Sequence, residues 1–148
     1  MMEASKKKME ELLRQLELAW SDSEDEGGFV LYNVVLDQEN ELELTAVLYG
    51  TEEDGYFLRL LAYVDELSVD EPLDQLTMLM KLNCELPAGT FCLNPVDSVV
   101  YATLNLQLED LEPEDLDSAM NHVLDCQDYF FQEYYGDMDG GDDGGAQA

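Results

Sequence analysis

The stretch Leu73–Leu106, LDQLTMLMKLNCELPAGTFCLNPVDSVVYATLNL, decides the architecture. Leu73, Leu76, Leu79, Met80 and Asn83 recur at helical spacing until Pro87 and Gly89 break the pattern. TFCL and VVYATLNLQL then read as two short strands, joined through Asn94 to Ser98, where Asn beside Pro95 is a strong turn signal. Pro72 stands in the first turn of the helix, where a missing amide costs nothing, and Asp70 or Glu71 can cap it.

Toward the N-terminus, Phe29–Leu36 reads as a strand rich in Val, Leu and Tyr, and the polar DQEN at Asp37–Asn40 turns it back into ELELTAVLY. There Leu42, Leu44, Ala46 and Leu48 point one way and Glu41, Glu43 and Thr45 the other. TEEDG supplies the next turn, and Tyr56–Val64 forms a third strand with the alternate set Tyr56, Leu58, Leu60, Ala62 and Val64. Short loops imply antiparallel pairing. Ahead of the strands, Met9, Leu12, Leu13, Leu16 and Ala19 or Trp20 mark an amphipathic helix from about Glu3 to Trp20. SDSEDEGG, residues 21–28, is expected as an acidic loop. On the C-terminal side, Pro113 and its flanking acids open a last helix whose stripe is Leu116, Met120, Val123, Phe130 and Tyr134. The expected fold class is α+β: helix, three antiparallel strands, helix, two strands, helix. It spans residues 1–135 as one domain, followed by a disordered acidic Gly/Asp tail over 136–148.

Charge narrows the function classes. Thirty-five acids against 6 bases give a net charge of -29, and four of the bases (Lys6, Lys7, Lys8 and Arg14) lie in the first helix. Such a field repels nucleic acid and anionic lipid, which are bound by cations that replace condensed counterions. Basic partners, divalent cations or plain solubility are the readings left. Cys84, Cys92 and Cys126 are odd in number, lack CxxC spacing and each falls within an apolar pattern, so they are expected as reduced core thiols of a cytoplasmic protein. The first helix interleaves Glu10, Glu11 and Glu17 with its apolar residues, unlike a signal peptide, and no segment has the roughly 20 apolar residues of a membrane span.

No catalytic, cofactor or metal motif stands out. The single histidine, His122, falls in mid-helix and reads as structural, sharing no recognised zinc spacing with the cysteines. DMDGGDDGG imitates a calcium loop, but Asp142 replaces the required glycine and Ala148 the terminal glutamate. Glu41 and Glu43 could act as an acid and base pair only in a concave site, and with 35 acids such pairs arise by chance, so the chain is expected not to be an enzyme. Two features favour binding. Phe57, Leu61 and Tyr63 accompany Arg59 on the face of the third strand opposite Leu58 and Leu60, so that face is covered either by a partner or by helices of the same chain. Tyr129, Phe130, Phe131, Tyr134 and Tyr135 ring the last helix end, either as an interface or tucked against the domain.

The segment LMKLNCELPAGTFCLNPVDSVVYATLNLQLEDLEPEDL resembles the bacterial YbjN family and, more remotely, the class I chaperones of type III secretion, the Tir chaperone type. The residues that carry the likeness are Leu82 and Asn83 ending a helix, the strand Phe91–Leu93, a hairpin return, and the step from Leu108 to Leu116, within a region of about residues 28 to 135. The resemblance implies a helix-flanked antiparallel sheet, frequent homodimerisation, binding of an extended polypeptide, a role as a regulator of sensory or stress responses, and no catalytic residues. The resulting expectation is a cytoplasmic, non-enzymatic binding protein that holds a partner polypeptide, with an acidic decoy that sequesters basic proteins by mimicking nucleic acid as the alternative. Partner contacts are expected at Leu12, Leu16, Phe57, Leu61 and Tyr63, and the homodimer contacts at Leu76, Met80, Phe91 and Leu93.

Overall fold

The computed structural model describes residues 2–24 and 28–136. Among these residues the fold is α+β, with three helices and a six-stranded antiparallel sheet. In chain order the elements are α1 (Met2–Gln15), β1 (Ala19–Glu24), β2 (Val30–Asp37), β3 (Leu42–Thr51), β4 (Gly55–Glu66), α2 (Pro72–Glu85), β5 (Thr90–Asn94), β6 (Val99–Gln107) and α3 (Pro113–Phe130), which runs into one π-helical turn, Phe131–Tyr135. The sheet order is β1-β2-β3-β4-β6-β5. The α2 crossover carries the chain past β4 to the far edge, and β6 returns to fill the gap between β4 and β5.

The sequence pattern explains most of these boundaries. Leu86, which precedes Pro87, is extended, and α2 ends there because a residue before proline is pushed out of the helical region. Asn83, one turn earlier, fastens the helix to the next strand: Phe91 N–H donates to its Oδ1 at 2.7 Å, and its Nδ2 donates to the Phe91 carbonyl at 3.2 Å. Gly89 adopts φ +82°, and a Cβ there would stand 3.2 Å from the Thr103 carbonyl, so the entry to β5 needs glycine. At the start of α3, Pro113 occupies the first turn and the Asp115 carboxylate accepts from Glu112 N–H at 3.1 Å.

Two boundaries differ from expectation. The first helix ends at Gln15 rather than near Trp20, because Glu17 takes the left-handed conformation (φ 59°) and Leu18 N–H closes back onto the Leu13 carbonyl at 3.0 Å. The segment expected as an acidic loop over 21–28 instead begins with strand residues. Ala19–Glu24 pairs along its length with β2, so the three-strand unit has four strands. The pairing places Trp20 and Asp22 opposite Val34 and Tyr32 on the helix side, where Arg14 lies 5.9 Å from the Trp20 ring and Lys6 lies 3.8 Å from Asp22. Residues 25–27 of that segment, and all of the expected tail except Gly136, fall outside the described residues.

The core lies on one face of the sheet. Val30, Tyr32, Val34, Leu44, Ala46, Leu48, Leu58, Leu60, Ala62, Val64, Val100 and Ala102 are buried there against Met9, Leu12 and Leu13 of α1, Leu79 and Leu82 of α2, and Leu116, Met120, Val123 and Phe130 of α3. Asp65, at the β4 bulge, is a polar hub for this layer. It accepts from the Tyr135 hydroxyl and from Gln75 Nε2, while the fully buried Gln75 also donates to the Glu66 carbonyl at 3.0 Å and accepts from Ser68 N–H at 2.6 Å. No helix of the described residues is long and apolar enough to cross a membrane.

Candidate protein-binding face

Strict alternation sends every second strand residue to the other side of the sheet. By register this side carries Leu31 and Asn33 of β2, Thr45, Val47 and Tyr49 of β3, Phe57, Arg59, Leu61 and Tyr63 of β4, Tyr101, Thr103 and Asn105 of β6, and Thr90 and Cys92 of β5. None of them is buried, and no helical residue lines the hollow of about 960 Å³ at its centre. Among the described residues, three helices thus cover one face and leave the other open. Of the two readings the sequence allowed for Phe57, Leu61 and Tyr63, coverage by helices of the same chain is ruled out among the described residues.

Arg59 organises the hollow. Its Nε donates to Asn105 Oδ1 on β6 at 2.9 Å, and its guanidinium lies 5.5 Å from the centroid of the Tyr49 ring on β3. Tyr49 in turn stacks on Phe57 at 5.6 Å and meets the edge of Phe29 at 6.3 Å. These contacts hold a cation in a fixed pose among aromatic and aliphatic side chains, with no carboxylate partner among the described residues. The Tyr63 hydroxyl is pushed up by desolvation and then by Glu66 and Asp65, and that of Tyr101 by desolvation and then by Asp97, so both stay protonated as donors at neutral pH. Desolvation also raises the Cys92 thiol, against an opposing pull from Arg59, which reduces its thiolate fraction. Such a surface can bury apolar side chains and offer a guanidinium and the Tyr63 phenol, while the Tyr101 hydroxyl already donates to the Asp97 carboxylate at 3.3 Å.

The expected site residues separate. Phe57, Leu61 and Tyr63 meet on this face, with Tyr63 50% exposed. Leu12 does not join them: it is a core residue beneath the opposite face, and Leu16, at the end of α1, packs against that core. The residues expected at a homodimer contact are equally divided. Met80 is 72% exposed on α2 and Leu76 is half-buried beside it, whereas Phe91 is a core side chain 5.9 Å from the Phe130 ring and Leu93 packs half-buried against the core. The aromatic end of α3 is largely tucked in. Phe130 is fully buried, with Tyr134 stacked on it at 5.3 Å, and only Phe131 of this group is counted as exposed.

Other expectations are also resolved. Only Cys126 is a core thiol, because Cys84 and Cys92 are exposed. His122 Nε2 donates to the Ala88 carbonyl at 2.7 Å and ties α3 to the turn before β5. Glu41 sits in a turn with φ 54°, while the Glu43 carboxylate accepts from Asn33 Nδ2. No cluster of ligand side chains suited to a metal occurs among the described residues. Val47, Tyr49, Tyr101 and Asn105 were not singled out from sequence; the period-two pattern that puts Ala46 and Leu48 in the core was the signal for Val47 and Tyr49. Compared with models of known protein families and with curated proteins, the chain matches none.

Proposed function

We propose that the protein is a cytoplasmic, non-enzymatic binding module, chaperone-like or regulatory, that holds a partner polypeptide on the open face of its sheet. One observation carries the reading: in a chain of net charge -29, no helix among the described residues covers this sheet face, which is furnished with Leu61, Val47, Tyr49, Phe57, Tyr63 and Tyr101 around Arg59. Apolar surface of this kind gains about 25 cal/mol per Å² when covered. The acids keep the loaded complex dispersed.

Affinity capture of the tagged protein from its native lysate, beside a Leu61→Asp variant, tests the reading. A stoichiometric partner that survives a high-salt wash and is lost with Leu61→Asp is the expected result. Equal capture by both proteins sinks it. The second reading, an acidic decoy for basic proteins, is favoured by the net charge itself, and it predicts capture that Leu61→Asp leaves intact and high salt abolishes.

A further inference from the structure

We propose that the partner segment held on the open face is an acidic one: it presents an Asp or Glu side chain between apolar neighbours, and Arg59 receives that carboxylate. This rests on the reading of that face as a protein-binding surface and names the chemistry it selects. A protein of net charge -29 thus chooses its partner by a negative charge, against the long-range field of its own surface.

The guanidinium is prepared for an anion. Its Nε donor is spent on Asn105 Oδ1 at 2.9 Å, whereas its Nη donors have no acceptor among the described residues. The Tyr49 ring, 5.5 Å away, steadies it without supplying a counter-charge. Other cations of the chain are matched: Arg14 bonds Glu11 at 2.7 Å and Lys6 lies 3.8 Å from Asp22. The hollow around Arg59 shows the same bias by what it lacks. Acids make up 35 of the 148 residues, yet none lines it, and Arg59 is the one charged side chain among the described residues that do. Glu43, farther along the face, accepts from Asn33, and Asp97 accepts from the Tyr101 hydroxyl, so both carboxylates are engaged elsewhere. In the free protein Arg59 is exposed and water satisfies it. A segment that covers the apolar hollow strips that water away, and a desolvated, unpaired guanidinium is costly. The covering segment must therefore bring an acceptor, and a carboxylate meets two Nη donors in one plane.

The spacing of the face sets the pattern of the segment. Phe57 and Leu61 flank Arg59 on β4, each two residues and about 7 Å from it. An extended chain repeats its side chains at that same interval, so an acid on Arg59 carries residues two positions to either side over Phe57 and Leu61. Apolar side chains there cover apolar surface while the acid pairs the guanidinium. A small free carboxylate fits less well, since Arg59, Cys92 and Asn105 are exposed and small-molecule sites enclose most of their ligand. A phosphate-rich polymer needs many cations and meets only this one in the hollow. Salt acts in a characteristic direction. Repulsion between two acidic partners is long-ranged and screened, whereas the Arg59 pair acts at contact, so binding tightens as salt rises, the reverse of a complex held by opposite net charges.

Selection of displayed random dodecapeptides on the immobilised full chain tests the proposal, in about 0.5 M salt, where the screening length is about 4 Å. The expected result is enrichment of Asp or Glu with apolar residues two positions to either side. The same selection on Arg59→Glu should enrich Lys or Arg at that place. A synthesised winner should bind Arg59→Gln about tenfold or more weakly than wild type by calorimetry, with Arg59→Lys between them. Its affinity for wild type should rise from low to moderate salt. Far-ultraviolet circular dichroism confirms that each variant is folded. Enrichment of basic peptides, or of apolar ones without an acid, overturns the proposal, as does an acidic winner indifferent to Arg59→Gln. The binding reading fails separately: apolar winners without an acid that are lost with Leu61→Asp sink the acidic partner alone. Winners that bind Leu61→Asp as tightly as wild type, or no enrichment at all, sink the reading beneath it as well.

Discussion

Leu60 and Leu61 are the same residue side by side on β4, yet they meet different surroundings. Leu60 is fully buried with the helices over it, and Leu61 lies half-buried in the hollow of the open face. The same contrast runs along β3, where Ala46 and Leu48 are in the core and Val47 and Tyr49 are not. Hydrophobic character alone therefore does not say which side of a strand holds the molecule together. One face supplies stability, and the other keeps apolar surface available at little cost to folding.

Substitutions on β4 sharpen this comparison most directly. Leu60→Ala removes a fully buried side chain and should lower unfolding free energy by about 3 kcal/mol in urea titrations. A loss below about 1 kcal/mol would break the assignment of that face as the core. Gln75→Ala comes next, at about 2 kcal/mol, since it strands Ser68 N–H and the Glu66 carbonyl in the helix layer. Asn83→Ala should cost about 1–2 kcal/mol by freeing both backbone groups of Phe91, with faster amide exchange in β5 as its local signature.

The hub at Asp65 gives a pH-dependent test of the helix layer. The Tyr135 hydroxyl donates to Asp65, and this bond, with desolvation behind it, pushes the phenol up to about 12 from an ordinary 10.0. The folded protein thus keeps a proton that the unfolded chain releases near pH 10.0, so the stabilisation is full below that pH and is lost as pH rises through about 12. Tyr135→Phe should be less stable than wild type at neutral pH, and the two should converge across this alkaline window in denaturant titrations. The smallest effect belongs to the open face. Leu61→Ala should change stability by less than about 1 kcal/mol, and a loss matching that of Leu60→Ala would show that the two faces are not different after all.

The quoted stretch was legible because its signals are local. Pro72 and Pro87 bracket α2, Gly89 and the Asn94 turn separate β5 and β6, and the structure places Pro72–Glu85, Thr90–Asn94 and Val99–Gln107 accordingly. β1 was not legible, since Ser21, Asp22 and Ser23 carry no strand propensity. They are extended because β2 offers an unpaired edge and because Trp20 and Asp22 find Arg14 and Lys6 on α1. The end of α1 was misplaced for a related reason: Glu17 takes a left-handed turn without the glycine that usually announces one. Cys92 alternates with Phe91 and Leu93 in an apolar run, and only the register with Tyr101 puts it on the open face. Half of the candidate site, Phe57, Leu61 and Tyr63 with Arg59, was visible as a second apolar set on β4; Tyr101 and Asn105 needed the pairing of β6 with β4 and β5.

By itself the sequence determined the α+β class, the alternation that splits each strand into two sets of residues, and the acidic surface, because propensity, period and charge are properties of neighbours along a chain. Only the tertiary structure decided that all three helices lie on one face, that a sixth strand extends the sheet, and that one arginine stands amid aromatic side chains on the other face. Those outcomes depend on contacts between residues far apart in sequence, such as Arg59 with Asn105 and Asp65 with Tyr135, whose free energies exist only after the elements have packed.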